Sequence, residues 1–188
     1  MKLTIKKLLD TLRFHLTLFW QTPKDYLYSF TYSGKRKIAI KPFSGHARKV
    51  ACEIIAWAES TFPGTTVYFV GSTNLGIEGI GDVDLFMPCE PKNFNNIVPI
   101  IEAKFGLPTK TRPSYVEWKI DYKQVELEFT IIDPQSSFLK MQLEIFEKLQ
   151  SNSKILAEYK NLKTSANHLS VRNYQLRKME FFNRLLSS

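Results

Sequence analysis

Apolar and polar residues alternate along this chain with two different periods, which predict helices in its outer parts and strands in its middle. Apolar residues recur every three or four positions in residues 1–20 and again in residues 46–62, as in amphipathic helices. Between these helices, residues 26–42 alternate aromatic and polar side chains and indicate a hairpin that turns at residues 33–35. The first third of the chain is therefore expected to be helix, hairpin and helix.

The middle of the chain predicts a sheet. Short apolar runs at residues 66–70 and 82–87 are typical of strands, and residues 115–121 and 124–132 have the pattern of a hairpin. A helix is expected over residues 94–105, where apolar residues return to the helical period. Together these segments indicate one mixed sheet covered by helices.

Everything from residue 136 onward has helical periodicity, in three segments broken near residues 151–152 and 167–168. The order of the elements places the chain in the α+β class. We therefore expect a core in residues 1–135, including the N-terminal helix, and a C-terminal helical segment in residues 136–188 that packs on this core. A chain of 188 residues suits one domain with a small helical addition.

One stretch in the predicted sheet has the residues of a catalytic site. A short apolar strand runs into Gly71-Ser72, nine residues follow, and Asp82-Val83-Asp84 then lies in the next apolar strand. Glycine lets the chain turn sharply with its amides exposed, and Ser72 adds a hydroxyl, so this turn can hold the phosphates of a triphosphate. Because residues two apart in a strand point to the same side, Asp82 and Asp84 should project together.

Two carboxylates beside a phosphate-binding turn suit a hard divalent cation, Mg²⁺ or Mn²⁺. A two-metal mechanism also needs a third carboxylate from a neighbouring strand. Residues 124–132 offer Glu126 and Glu128 on one face, of which Glu128, deeper in the strand, is the preferred ligand and Glu126 the alternative. The competing interpretation is a solvated strand edge, but acids within an apolar strand repel each other unless a cation stabilises them.

These residues resemble the signature of the nucleotidyltransferase superfamily of DNA polymerase beta, in which a strand, Gly-Ser, a short spacer and Asp-x-Asp follow one another. Within it the chain resembles the GrpB-like branch, through Val70-Gly71-Ser72-Thr73 and a C-terminal Tyr-x-x-Leu-Lys and Tyr-x-x-x-Lys pattern over residues 159–178. The resemblance covers roughly residues 45 to 185. It implies a nucleotidyltransferase-type mixed β-sheet flanked by helices, with a C-terminal helical segment.

The resemblance also implies roles for individual residues. Catalysis and metal binding would fall to Asp82, Asp84 and Glu128. Nucleotide binding would fall to the turn and to two i,i+4 pairs of the helical tail, which are Gly71, Ser72, Thr73, Tyr159, Lys163, Tyr174 and Lys178. The tail residues have an alternative interpretation as ordinary residues of amphipathic helices.

The charge and the cysteine content of the chain indicate which class of partner it binds and in which cellular compartment it works. The chain has 26 Lys and Arg against 18 Asp and Glu, a net charge of +8, which favours polyanions such as nucleoside triphosphates and RNA. Its two cysteines, Cys52 and Cys89, have no C-x-x-C spacing and are expected to be ordinary buried thiols in a reducing compartment. No apolar run reaches the roughly 18 residues of a membrane span, so we expect a cytoplasmic protein.

The sequence thus predicts an enzyme that transfers a nucleoside monophosphate from an NTP to a hydroxyl and releases pyrophosphate, with Mg²⁺ or Mn²⁺ as cofactor. RNA, for example a tRNA end, is the favoured acceptor, and a protein side chain or a small metabolite stays open. The alternatives are a non-catalytic module that binds nucleotide or RNA, and a nucleotidyltransferase of the toxin–antitoxin type. Base preference, acceptor and oligomeric state do not follow from the sequence.

Overall fold

The computed structural model describes residues 30–187, so the helix predicted for residues 1–20 lies outside the described residues. The described residues belong to two compact units. We call residues 40–156 the sheet unit, and residues 30–39 together with 157–187 the helical unit.

The sheet unit alternates helices and strands. In chain order it contains α1 (Gly45–Thr61), β1 (Tyr68–Val70), α2 (Gly71–Leu75), β2 (Val83–Pro88), a 3₁₀ turn (Pro91–Asn93), α3 (Phe94–Phe105), β3 (Lys110–Arg112), β4 (Tyr115–Tyr122), β5 (Val125–Ile132) and α4 (Ser137–Ser151). The helical unit contains α5 (Ser153–Ser165), from Ala157 onward, and α6 (Val171–Ser187). Three of these elements, β3, the single-turn helix α2 and the 3₁₀ turn, were not expected from the sequence. Of the two cysteines, which were both expected to be buried, Cys89 is buried and Cys52 of α1 is exposed.

The five strands form one sheet in the order β1-β2-β5-β4-β3. The central pair, β2 and β5, is parallel, and the other pairs are antiparallel. This is the mixed sheet flanked by helices that the sequence predicts, and the α+β class is confirmed. The parallel pair matters most for the site, because it sets Asp84 directly beside Glu128.

Alternation along β2 and β5 separates an apolar face of the sheet from a polar one. Val83 and Leu85 are fully buried, as predicted, and pack with Leu127 and Phe129 of β5 beneath the apolar sides of α1 and α3. Because successive side chains in a strand point to opposite faces, Asp84 and the acids of β5 lie on the other face.

That second face is covered by α4 only toward the ends of the central strands. Leu139 of α4 packs with Phe86 of β2 and Ile132 of β5 in a second, smaller core. Asp84 and Glu128 precede these residues in their strands and lie outside this core, where both are half-buried. Among residues 30–187, the acidic part of this face is therefore only partly covered.

In the helical unit, the segment before the sheet unit pairs with the start of α6 rather than with itself. The hairpin predicted for residues 26–42 is wrong over its described part, which forms no strand and instead makes an isolated bridge from Lys37 to Ser170. The backbone N–H of Ile38 donates to the Leu169 carbonyl at 2.8 Å. Among residues 30–187, no helix is both long and apolar enough to cross a bilayer.

Candidate active site

The turn at Gly71 is shaped by its contact with Asp84. Gly71 has a φ of +80°, a conformation that residues with a Cβ rarely adopt. A Cβ at this position would collide with Oδ2 of Asp84 and lie 3.3 Å from its Cγ. The structure thus brings together Gly71 and the second aspartate of the motif, and this proximity explains why the position is a glycine.

The two residues after Gly71 are buried at the beginning of α2. Ser72 is 4% exposed and Thr73 is 5% exposed. The Thr73 hydroxyl donates a hydrogen bond of 2.5 Å to the backbone carbonyl of Asp82. Thr73 therefore fixes the turn to the residue that precedes β2, and the nucleotide-binding roles of Ser72 and Thr73 stay predictions.

The register of the central strands fixes the relation between the two best candidate carboxylates. Asp84 and Glu128 are paired residues of neighbouring parallel strands, which lie about 4.8 Å apart. Glu126 is displaced from this pair by two residues along β5. Asp82 lies just before β2 rather than within it. The register thus places Glu128, and not Glu126, beside Asp84, the residue that contacts the turn at Gly71.

The charge of Asp82, the first aspartate of the motif, affects the ionisation of Glu128. Burial raises the pKa of the Glu128 carboxyl above its ordinary value, and the negative charges of Glu117 and Asp82 raise it further against the opposing effect of Lys119. Burial is the main cause, so the ionised carboxylate loses hydration that Lys119 replaces only in part. Glu117 of β4 is an acid of this face that the sequence analysis did not single out.

Lys119 of β4 lies among the acids. Its Nζ is 2.8 Å from Oε1 of Glu126 and 3.4 Å from Oε2 of Glu128. Burial alone would lower the pKa of Lys119, but its contacts with the two glutamates outweigh this effect and raise the pKa. The position of Lys119 among these acids was not predicted from the sequence. The register of a tight hairpin that turns near residue 123 would have placed it opposite Glu128.

The donor set fits a hard divalent cation in its chemistry. It consists of carboxylates, two of which lie side by side, and burial raises the pKa of one of them. In the part of the chain that the structure describes, no three His, Cys, Asp or Glu side chains are grouped closely enough to hold a metal ion together. A third ligand would have to turn toward the ion when it binds.

The four predicted nucleotide-binding residues of the tail lie in the helical unit, and three of them are buried there. Tyr159 stacks on Phe181 with ring centroids 5.4 Å apart, and Nζ of Lys163 lies 5.1 Å from the Tyr159 ring. Tyr159, Lys163 and Tyr174 are all buried. Nζ of Lys178, which is half-buried, lies 5.6 Å from the ring of Phe182. These contacts give the four residues a packing role, and their binding of nucleotide stays a prediction.

Comparison with known proteins identifies the fold. No protein-family model and no curated protein matches the chain. Among solved structures, the conserved protein GrpB from Enterococcus faecalis aligns with a TM-score of 0.59 and 13% identity, over 78% of this chain and 93% of GrpB. The chain therefore shares the fold of GrpB. Cid1, which has RNA terminal uridylyl transferase activity, aligns with a TM-score of 0.48 and 14% identity, over 75% of this chain and 44% of Cid1.

Strand pairing in this chain accounts for the arrangement of the candidate site. The Gly-Ser turn follows the edge strand β1, and Asp82 and Asp84 lie just before and within the neighbouring strand β2. Val70, just before the turn, is the register partner of Asp84, so the turn and the aspartate meet because of strand pairing. Sequence identity of 13% supports the shared fold alone, and the activity has to be argued from this chain's own residues.

Proposed function

We propose that this protein is a metal-dependent nucleotidyltransferase, which transfers a nucleoside monophosphate from an NTP to a hydroxyl acceptor and releases pyrophosphate. The observation that supports the proposal most directly is the pairing of Asp84 with Glu128 across parallel strands, next to the turn at Gly71. The net charge of +8 favours RNA as the acceptor.

Each residue has a defined task in this proposal. Asp84 and Glu128 would hold Mg²⁺ or Mn²⁺ from adjacent strands, and Asp82 would complete the ligands from the end of the loop before β2. Bound divalent ions would neutralise charge on the transferring phosphate and on the attacking and leaving oxygens. The turn at Gly71-Ser72 would hold the triphosphate beside these carboxylates. The carboxylate nearest the acceptor would also take the proton of the attacking hydroxyl.

The test compares the protein with an Asp82→Asn/Asp84→Asn double variant. Each is incubated with one of the four labelled NTPs, Mg²⁺ and total RNA, a protein mixture or a small-molecule hydroxyl acceptor, and released pyrophosphate and labelled product are measured. We expect product and pyrophosphate in equal amounts from the parent protein and none from the variant. Equal behaviour of the two proteins with every NTP and every acceptor class would contradict the proposal. RNA binding that survives a chelator without pyrophosphate release would favour a non-catalytic binding module instead.

Lys119 provides a second test, on metal binding alone. Because its ammonium group contacts both Glu126 and Glu128, it competes with a divalent ion for the same oxygens. Replacing Lys119 with methionine should raise the affinity for Mn²⁺ by about fivefold or more, since one positive charge leaves the immediate neighbourhood of the ion. The affinity is measured by electron paramagnetic resonance of free Mn²⁺ in the absence of nucleotide.

The matched control is Lys123→Met, which removes an ion pair of the same hairpin with Glu53. This control should bind Mn²⁺ as the parent protein does. Equal affinities in all three proteins would show that Lys119 does not compete with the metal. If none of them binds Mn²⁺ at millimolar concentration, the metal site itself is wrong.

A further inference from the structure

The positive charge of the described residues is concentrated in the helical unit. Its residues 30–39 and 157–187 contain nine lysines and arginines against two glutamates, a net charge of +7. The sheet unit contains twelve lysines and arginines against fourteen acids, a net charge of −2. The unit with the candidate catalytic acids is therefore slightly acidic, and attraction of a large polyanion falls to the helical unit.

Three of these cations form an exposed turn that is held in place by backbone contacts. Lys35, Arg36 and Lys37 are consecutive and exposed. The backbone N–H groups of Lys35 and Arg36 donate to the Ser33 hydroxyl at 3.3 and 2.9 Å. The Arg36 carbonyl accepts a 2.8 Å hydrogen bond from the N–H of Val171 at the start of α6. The turn thus presents three positive side chains from a fixed backbone.

An aromatic ring lies next to this turn. Cζ of Arg172 is 4.6 Å from the ring centroid of Phe30, and the Phe30 ring is 51% exposed. The Arg172 guanidinium also donates to the carbonyl of Tyr32 at 3.3 Å. A Cβ at Gly34 would lie 3.3 Å from this guanidinium, so the glycine makes room for it. An arginine stacked on an exposed ring is a surface on which an unpaired base can stack.

We propose that the turn Lys35-Arg36-Lys37, together with Arg172 and Phe30, binds single-stranded RNA. The cations contact the phosphates, and the Phe30 ring stacks with a base, which is the combination that sequence-independent binding of single strands requires. An acidic polypeptide would satisfy the cations but offers no flat base to pack on the exposed part of Phe30. The inference rests on the proposed function in one respect, because it names single-stranded RNA as the class of acceptor.

The test measures binding of a fluorescein-labelled 20-nucleotide uridine RNA by fluorescence anisotropy, with EDTA present, over a range of salt concentrations. A variant with Lys35→Gln, Arg36→Gln and Lys37→Gln is compared with the full-length parent protein. We expect about a tenfold or larger loss of affinity at 100 mM salt. The slope of log affinity against log salt should fall by about 2, since each phosphate contact on a single strand contributes about 0.7.

The matched control carries Arg48→Gln, Lys49→Gln and Lys140→Gln, which removes the same charges from exposed positions of the sheet unit. It should keep the affinity within about twofold. An equal loss in both triple variants would show that only total charge matters and would overturn the proposal, as would failure of the parent protein to bind the RNA at low salt. Because EDTA prevents metal-dependent transfer, this failure is distinct from failure of the nucleotidyltransferase activity.

The Phe30→Leu variant distinguishes between RNA and an acidic polypeptide as the ligand of this basic turn. The variant keeps an apolar side chain but loses the flat ring, and it should bind the RNA about fivefold more weakly or worse. Its binding of poly-L-glutamate should equal that of the parent protein. If poly-L-glutamate binds the parent as tightly as the RNA does and Phe30→Leu leaves RNA binding unchanged, the surface is a docking site for acidic protein and the proposal is wrong.

Discussion

Replacing Glu128 with glutamine is expected to lower nucleotidyl transfer by about a hundredfold or more, whereas Glu126→Gln should keep activity within about threefold. The difference follows from register, because Glu128 is paired with Asp84 in the neighbouring strand and Glu126 is two residues away. Glutamine keeps the size of the side chain and removes one negative charge and one strong metal ligand. The comparison is made on kcat/KM for pyrophosphate release at saturating Mg²⁺, and again on Mn²⁺ affinity without nucleotide.

The two variants are close controls for each other. Both glutamates lie on the same strand and the same face, and both contact Nζ of Lys119. Each substitution therefore disturbs Lys119 and lowers the negative charge of the face by one. If Glu126→Gln proves to be the inactive variant, the third ligand is Glu126 and strand register is a poor guide to it. Full activity in both variants would mean that catalysis does not need a carboxylate from β5.

The elements that the sequence predicts well are those whose signals are local. Helix α3 has the predicted bounds, residues 94–105, because Gly106 with a φ of +80° ends it. Helix α1 begins at Gly45, one of the two residues expected to open it, and the Ser44 hydroxyl before it accepts a hydrogen bond from the Ala47 N–H at 3.2 Å. The hairpin of β4 and β5 is also as expected, and its two-residue turn has positive φ at Lys123 and Gln124.

The features that sequence periodicity misses depend on contacts between distant segments. Residues 36–41 have an alternating pattern, but their partners lie far along the chain, at Ser170 and at Gly79. The three-residue strand β3 is too short for a periodic signal and exists because it pairs with β4. The parallel pairing of β2 with β5 is likewise a property of the whole sheet. It is this pairing that distinguishes Glu128 from Glu126, which the sequence analysis ranked only by depth in the strand.

Replacing Gly71 with alanine is expected to destabilise the protein by about 2–5 kcal/mol, because two costs add. An alanine at a φ of +80° costs about 1–2 kcal/mol. The new Cβ also collides with the Asp84 carboxylate, and overpacking of this kind costs about 1–3 kcal/mol. The free energy of unfolding is measured in urea. The displaced Asp84 should also lower transfer activity below that of the parent protein at temperatures where the variant is still folded.

Gly76→Ala is the matched control for this prediction. Gly76 has a φ of +69°, but no heavy atom lies within 4 Å of the position that its Cβ would occupy. The free energy of unfolding of this variant should therefore fall by the backbone conformational cost alone. The collision is then isolated by repeating Gly71→Ala in an Asp84→Ala background, which removes the carboxylate. If the contact with Asp84 is the cause, the cost of Gly71→Ala in that background should fall to that of Gly76→Ala. An unchanged cost would show that Asp84 does not restrict position 71, and the proximity of the turn and the aspartate, on which the proposed triphosphate site depends, would be refuted.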